Sequence, residues 1–213
     1  MIMHKKNIIS TGRKLSKDGK VLIMLHGRGG SAEDILSLSS HLDVSDYTLL
    51  APQATGNTWY PYSFLAPPSQ NEPWLSSALG LLEELVKDLY SKNIPSENIY
   101  FTGFSQGACL TLEFVTRFAN KYGGIAAFTG GLIGDKIYNE NYRGDFSQTP
   151  VFLGTSNPDP HIPIERFYAT GNILRDRNAA VIEKVYPNLG HTINADEIEN
   201  ANKYIFNAQT IKA

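Results

Sequence analysis

The chain has 213 residues, 42% of them hydrophobic and 19% charged, and a formal net charge of −2. That length and balance fit one soluble domain, 1–213, with enough apolar material for a real core. They exclude a nucleic-acid footprint, which needs a clustered basic face, and a membrane-spanning helix, which needs about 20 apolar residues where runs such as Val21–Leu25 are far shorter.

From the N-terminus, "MHKK" reads as a solvated tail. Asn7, Ser10 and Thr11 interrupt any apolar leader, so a cytoplasmic location is expected. A turn at "KDGK", Lys17–Lys20, implies an antiparallel hairpin at the edge of a sheet. "VLIMLHG" is a continuous β run ended by Gly27. "SAEDILSLSSHL" predicts a helix with Ser31 as N-cap and Asp34 three residues on, close to a capping box. Tyr47–Ala54 is the next strand.

Residues 55–74 then break the rhythm, with four prolines, five aromatics and no period. Beyond them, Leu75, Leu79, Leu82, Val86 and Leu89 recur at helical spacing. "NIYFTG" is a strand, and Ala108, Leu112, Val115 and Ala119 mark one face of the helix after it. "GIAAFTGG" and "PVFLGTS" are two more buried strands. Ile162–Arg177 is predicted helical, "AAVIEKVYP" a strand, and Asn194–Gln209 a closing helix. Continuous apolar strands alternating with amphipathic helices give an α/β fold, with a mostly parallel sheet covered on both faces.

The chemistry concentrates at "YFTGFSQGACL", where Ser105 stands between Gly103 and Gly107. G-x-S-x-G between a strand and a helix is the pattern of a nucleophile elbow: a sharp turn lifts the hydroxyl above the sheet edge. A serine needs a base, and in this architecture the chain order is Ser, then acid, then His. Only His161 and His191 come after Ser105. His191, in a glycine-bounded loop after the last strand, is the better placed, because α/β sheets gather their sites at the strands' carboxyl ends. Asp159, in the proline-stiffened loop "NPDPHIP", is the favoured acid and Asp135 its one serious rival; Asp176, Glu165 and Glu183 read as solvated charges. "LHGRGG" resembles the loop that donates one oxyanion N–H in this fold, with Arg28 and Gln106 as the expected amide donors. His26 is expected to shape that loop; His4 and His41 receive no role. Trp59, Tyr60, Phe64, Trp74 and Phe104 are candidates for an acyl or aryl pocket, although aromatics in such a segment serve equally as core anchors.

Taken together, "LHGRGG", "GFSQG", "DPHIP" and "GHTI" resemble the carboxylesterase/phospholipase family of α/β-hydrolases that includes acyl-protein thioesterases, from about Val21 to Phe206. The resemblance implies a three-layer α/β-hydrolase fold in a bacterial-esterase-like variant, with Ser105 as nucleophile, Asp159 as acid and His191 as base. It implies hydrolysis of small-molecule carboxylic esters or thioesters with no cofactor and no metal; an amidase or peptidase using the same triad is the alternative. A non-catalytic binding protein of the same fold would be expected to lack a triad member. Where many thioesterase-like relatives carry a small or apolar residue, this chain has Arg28. A charge at the mouth favours a short, polar or anionic acyl group over a long alkyl chain.

Overall fold

Along the central strands, apolar side chains leave alternately for two cores. In β2 (Lys20–Leu25), Leu22 and Met24 join one core while Val21, Ile23 and Leu25 join the other. The computed structural model describes residues 3–207. Its main sheet comprises β1 (Ile8–Gly12), β2, β3 (Tyr47–Pro52), β4 (Ile99–Phe104), β6 (Gly124–Phe128), β8 (Pro150–Asn157) and β9 (Ala180–Pro187). Their spatial order is β1-β3-β2-β4-β6-β8-β9, with every pair parallel except β1 against β3. Two short strands, β5 (Phe118–Ala119) and β7 (Arg143–Gly144), pair apart from it.

One face packs against α2 (Trp74–Ser91), α3 (Gln106–Arg117) and α4 (Ile164–Arg175). The other packs against α1 (Ala32–Ser37) and the C-terminal segment of α5 (Ala195–Ala201) and the π-helical turn Asn202–Phe206. This is the expected mostly parallel α/β sheet with an antiparallel edge. The capping box at Ser31 and Asp34 is present, each side chain bonding the other's backbone N–H. Leu75, Leu79, Leu82, Val86 and Leu89 are all buried on α2. Among the described residues no helix is long and apolar enough to cross a membrane.

Four local expectations are corrected. The antiparallel edge is no hairpin: β1 pairs with β3, register Ser10 to Leu50, so the "KDGK" turn joins strands that are not neighbours. Ala119 lies beyond α3, which is buried on all sides from Gln106 to Thr116 because sheet and α2 enclose it. The closing α-helix ends at Ala201 and continues as the π-helical turn; Gln209 lies outside the described residues. "MHKK" is no free tail. His4 is buried, and Lys6 reaches both Glu84 (2.7 Å) and Asp88 (2.6 Å) on α2.

The helix after the His191 loop carries a pH-sensitive group. Glu197 is buried; its Oε2 accepts the Asn194 N–H to complete the capping box of α5, while Oε1 has no partner among the described residues. Burial pushes this carboxyl up from its ordinary 4.5 to about 7, outweighing the Asn194 bond. Below pH 4.5 it is protonated in the folded and the unfolded chain; above about 7 it is ionised in both, and the fold carries the cost of a buried charge. Stability contributed by this group is therefore lost as pH rises from 4.5 to about 7. Thermal melts should show that decline in the wild type and a flatter profile in Glu197→Gln; parallel profiles would show that another group carries it.

Candidate active site

β4 ends at Phe104 and α3 begins at Gln106, which leaves Ser105 alone to make the turn. It does so at φ 54°, ψ −119°, in the left-handed half of backbone space, a strain of about 1–3 kcal/mol. The flanking glycines reflect close backbone approach. A Cβ on Gly107 would sit 2.1 Å from the Leu25 carbonyl oxygen, and one on Gly103 2.6 Å from the Gly107 carbonyl. Any side chain at either position would push the first turn of α3 off the sheet. The Ser105 N–H donates to Phe128 O at 3.0 Å, tying the elbow to β6.

The loops after β8 and β9 bring the partners. Ser156 Oγ accepts the Gly190 N–H (2.9 Å) and donates to Pro158 O (2.9 Å), so one hydroxyl fastens the two loops together. His191 Nδ1 lies 2.9 Å from Asp159 Oδ2, and its Nε2 lies 2.8 Å from Ser105 Oγ. With the Nδ1 proton donated to the carboxylate, Nε2 is left as the acceptor for the serine hydroxyl. Asp159 Oδ1 takes the backbone N–H groups of His161 (2.7 Å) and Ile162 (2.8 Å). Burial alone would raise this carboxyl; the His161 amide, the His191 imidazole and the Ile162 amide outweigh it and hold its pKa below the ordinary value.

The rivals lie elsewhere or do other work. Asp135 is exposed and accepts the Tyr138 hydroxyl at 2.7 Å. His161 offers Asp159 its amide, and its ring stands edge-on to His191 at 4.7 Å, with no acid bonded to it among the described residues. Phe104 packs against the same imidazole at 5.3 Å.

Over the serine runs the Gly27–Arg28 loop, where a Cβ on Gly27 would come within 3.5 Å of Ser105 Cβ. The N–H groups of Arg28 and Gln106 bond to no other group among the described residues, and that of Gln106 is the first of α3, where the helix dipole favours negative charge. His26 shapes this loop. Its Nε2 accepts the Ala54 N–H (3.1 Å), so the proton is on Nδ1 and donates to Gly27 O (2.8 Å). Burial lowers its pKa, which keeps the ring neutral for both bonds.

The aromatic segment 55–74 is tied down by groups that sequence reasoning missed. Gln106 Oε1 accepts the Trp59 N–H (2.9 Å), and its Nε2 donates to Tyr60 O (2.8 Å). Arg28 Nη1 donates to Thr58 Oγ1 (3.1 Å) and Pro61 O (2.9 Å), and Nη2 to Tyr62 O (2.7 Å). His4 accepts the Thr55 N–H on Nδ1 (3.2 Å) and donates from Nε2 to Trp59 O (2.9 Å). A cleft of about 750 Å³ opens between this strap and the serine. Tyr60, Phe64 and Phe104 line it, together with Arg28, His161 and Cys109. Trp59 and Trp74 do not: Trp59 is buried behind the wall, giving its indole N–H to His26 O (2.9 Å), and both rings pack on His4. They anchor the strap instead of lining the pocket.

A profile of the phospholipase/carboxylesterase family matches residues 5–208. A crystal structure of a phospholipase/carboxylesterase from Dyadobacter fermentans superposes with a TM-score of 0.94 at 55% identity, covering 97% of this chain and 99% of that one. The probable carboxylesterase SOBER1-like of Arabidopsis thaliana is 25% identical over 92% of this chain and 83% of its own length. Acyl-protein thioesterase 1 of Saccharomyces cerevisiae is 31% identical over 61% of this chain and 58% of its own length, so that match spans little more than half of the relative. The resemblance carried by the four motifs is borne out, and the match extends N-terminally past Val21 to take in the edge strand β1. The chain belongs to the phospholipase/carboxylesterase family of α/β-hydrolases, a family of ester hydrolases.

Proposed function

We propose that this chain hydrolyses carboxylic esters of short to medium acyl or aryl groups through a Ser105 acyl-enzyme. The observation that carries the reading is the hydrogen-bonded relay from Asp159 through His191 to Ser105, at 2.9 and 2.8 Å. His191 Nε2 takes the hydroxyl proton as Ser105 Oγ bonds to the carbonyl carbon, and the resulting oxyanion is held by the Arg28 and Gln106 amides. The imidazolium then returns the proton to the departing alcohol as the C–O bond breaks, leaving the acyl-serine. Water, deprotonated by the same nitrogen, attacks that ester; collapse releases the acid and restores the serine. Asp159 remains ionised throughout, holding the tautomer and stabilising the transient charge, in keeping with its lowered pKa.

A thioester is the second substrate class, supported by the yeast thioesterase among the relatives. It needs the same relay and a thiol leaving group that asks less of the acid step. An amidase would use the same relay, with His191 protonating the leaving nitrogen; the ester-hydrolase family match and the thioesterase among the relatives favour oxygen and sulfur esters over amides.

Treatment with a serine-directed phosphonate should add one label, at Ser105, and abolish turnover of 4-nitrophenyl esters across an acyl-length series, with anilides as the amide control. A label on another serine would overturn the reading, as would anilide turnover exceeding that of the esters.

A further inference from the structure

Arg28 is a cation without a counter-charge. All three of its side-chain hydrogen bonds go to neutral acceptors, the Thr58 hydroxyl and the Pro61 and Tyr62 carbonyls. Among the described residues no ion pair joins it to an acid. Nor does any Asp or Glu line the cleft it shares with Ser105. Asp34, which borders a second cavity on the other side of Arg28, accepts the Ser31 N–H and forms no ion pair with it, and Asp159 has its side chain wholly buried and its oxygens committed to His191 and two amides. A protein of net charge −2 thus presents, beside its reactive serine, an exposed positive charge that forms no ion pair among the described residues.

The guanidinium is also pre-positioned. Two carbonyls and a hydroxyl hold it over the Tyr60 ring, 5.9 Å from the centroid, so little side-chain freedom is left to lose when an anion arrives. Those bonds occupy both N–H groups of Nη1 and one of Nη2. The N–H of Nε and the second N–H of Nη2 take no partner among the described residues, and they sit on neighbouring nitrogens of a planar fork that suits a carboxylate.

The mechanism decides which side of the ester it serves. The leaving oxygen must reach His191 Nε2 to be protonated, so the acyl chain extends away from that ring. Phe104 and His161 pack on His191. The partners of Arg28 are all in the 58–62 strap, and Tyr60 and Phe64 continue that wall.

Resting on the serine-esterase reading, we infer that the preferred substrates are esters whose acyl group ends in a carboxylate, which docks on Arg28. A plain alkyl chain of the same length leaves the cation facing apolar carbon, which favours neither.

The test compares monomethyl adipate with methyl hexanoate, esters of equal chain length, by pH-stat on the purified wild type. The ratio of kcat/KM should favour the adipate by about tenfold, and raising salt to about 1 M, where the screening length is about 3 Å, should shrink the preference severalfold. In Arg28→Gln the ratio should fall to about one; being a ratio, it cancels any common effect on the neighbouring oxyanion amide. Arg28→Lys, which keeps the charge and loses the fork, should fall between. A wild-type ratio at or below one would overturn the inference, as would a ratio unmoved by Arg28→Gln. Phenyl acetate against 4-carboxyphenyl acetate forms the other arm: an equal preference there would place the anion on the leaving group and overturn the acyl assignment. Turnover of methyl hexanoate, which has no charge, reports the esterase reading separately, so either can fail without the other.

Discussion

Ser105→Ala is expected to remove a factor of about 10⁴ to 10⁶ from kcat while leaving the fold in place. The loss is chemical. Ser105 Oγ is the atom His191 Nε2 addresses at 2.8 Å, and no other hydroxyl is bonded to that nitrogen among the described residues. The fold survives because of what the hydroxyl does not do. Ser105 occupies the N-cap of α3, yet its side chain makes no capping bond there, so its removal costs the helix nothing. Alanine keeps the Cβ and with it the same backbone strain at φ 54°, whereas glycine would relieve that strain and confound the comparison. The elbow's own anchor, Ser105 N–H to Phe128 O, belongs to the backbone and stays. Steady-state kinetics with a thermal melt decide it: a melting temperature within about 2 °C of wild type with turnover down at least about 10⁴-fold is the expected pair. A folded variant within about tenfold of wild-type kcat would remove Ser105 from the nucleophile's role.

Legible and illegible features of the chain divide along a physical line. The strands, the long helix of Leu75 to Leu89 and the elbow are local statements: a period, a cap, or a glycine where a Cβ has no room. Their signals lie within a dozen residues of the feature. Choosing Asp159 over Asp135 is harder, because both lie between Ser105 and His191 in the chain. What separates them is which loop stands above the same sheet edge as Ser105. Apart from where α3 and α5 end, the missed features are long-range. Whether β1 pairs with β2 or β3 depends on Ser10 meeting Leu50, and the turn between β1 and β2 says nothing about it. His4 is buried because Thr55 and Trp59 come to it across more than fifty positions, a partnership that a basic N-terminal run does not advertise. Gln106 stands out in the sequence only for its amide, which any residue but proline would supply. Its side chain holds the aromatic strap, and nothing in "GFSQG" distinguishes a clasp from a solvated glutamine. Trp59 and Trp74 show the same limit from the other direction, since composition places aromatics near the site without saying which of them face inward.

The second large effect is expected at Asp159. Asp159→Asn should cost about 10⁴ in kcat near neutral pH, and Asp135→Asn should change it by less than about twofold. The asymmetry comes from the donors around the carboxyl. Oδ1 accepts two backbone N–H groups, from His161 at 2.7 Å and Ile162 at 2.8 Å, so an asparagine will turn its carbonyl oxygen to them. That leaves its NH₂ facing His191 Nδ1, where Oδ2 now sits at 2.9 Å. Two donors cannot share the contact, so the imidazole must move its proton to Nε2. That nitrogen then meets Ser105 as a donor and can no longer take the hydroxyl proton. The variant should fold, since the two amide bonds that shape the loop persist, but it should show a pH signature. A carboxyl with a depressed pKa stabilises the fold above its unfolded-state value and loses that contribution as pH falls through the folded one. Any stability advantage of the wild type over Asp159→Asn at neutral pH should therefore vanish in acid, below the ordinary carboxylate range. At position 135 the carboxylate is exposed and accepts a single hydroxyl, from Tyr138, so its replacement touches neither the relay nor the loop. Paired kcat/KM measurements on both variants, with melts at neutral and acid pH, give the ranking; a crippled Asp135→Asn beside a fully active Asp159→Asn would mean that the enzyme does not use the relay from Asp159 through His191 to Ser105.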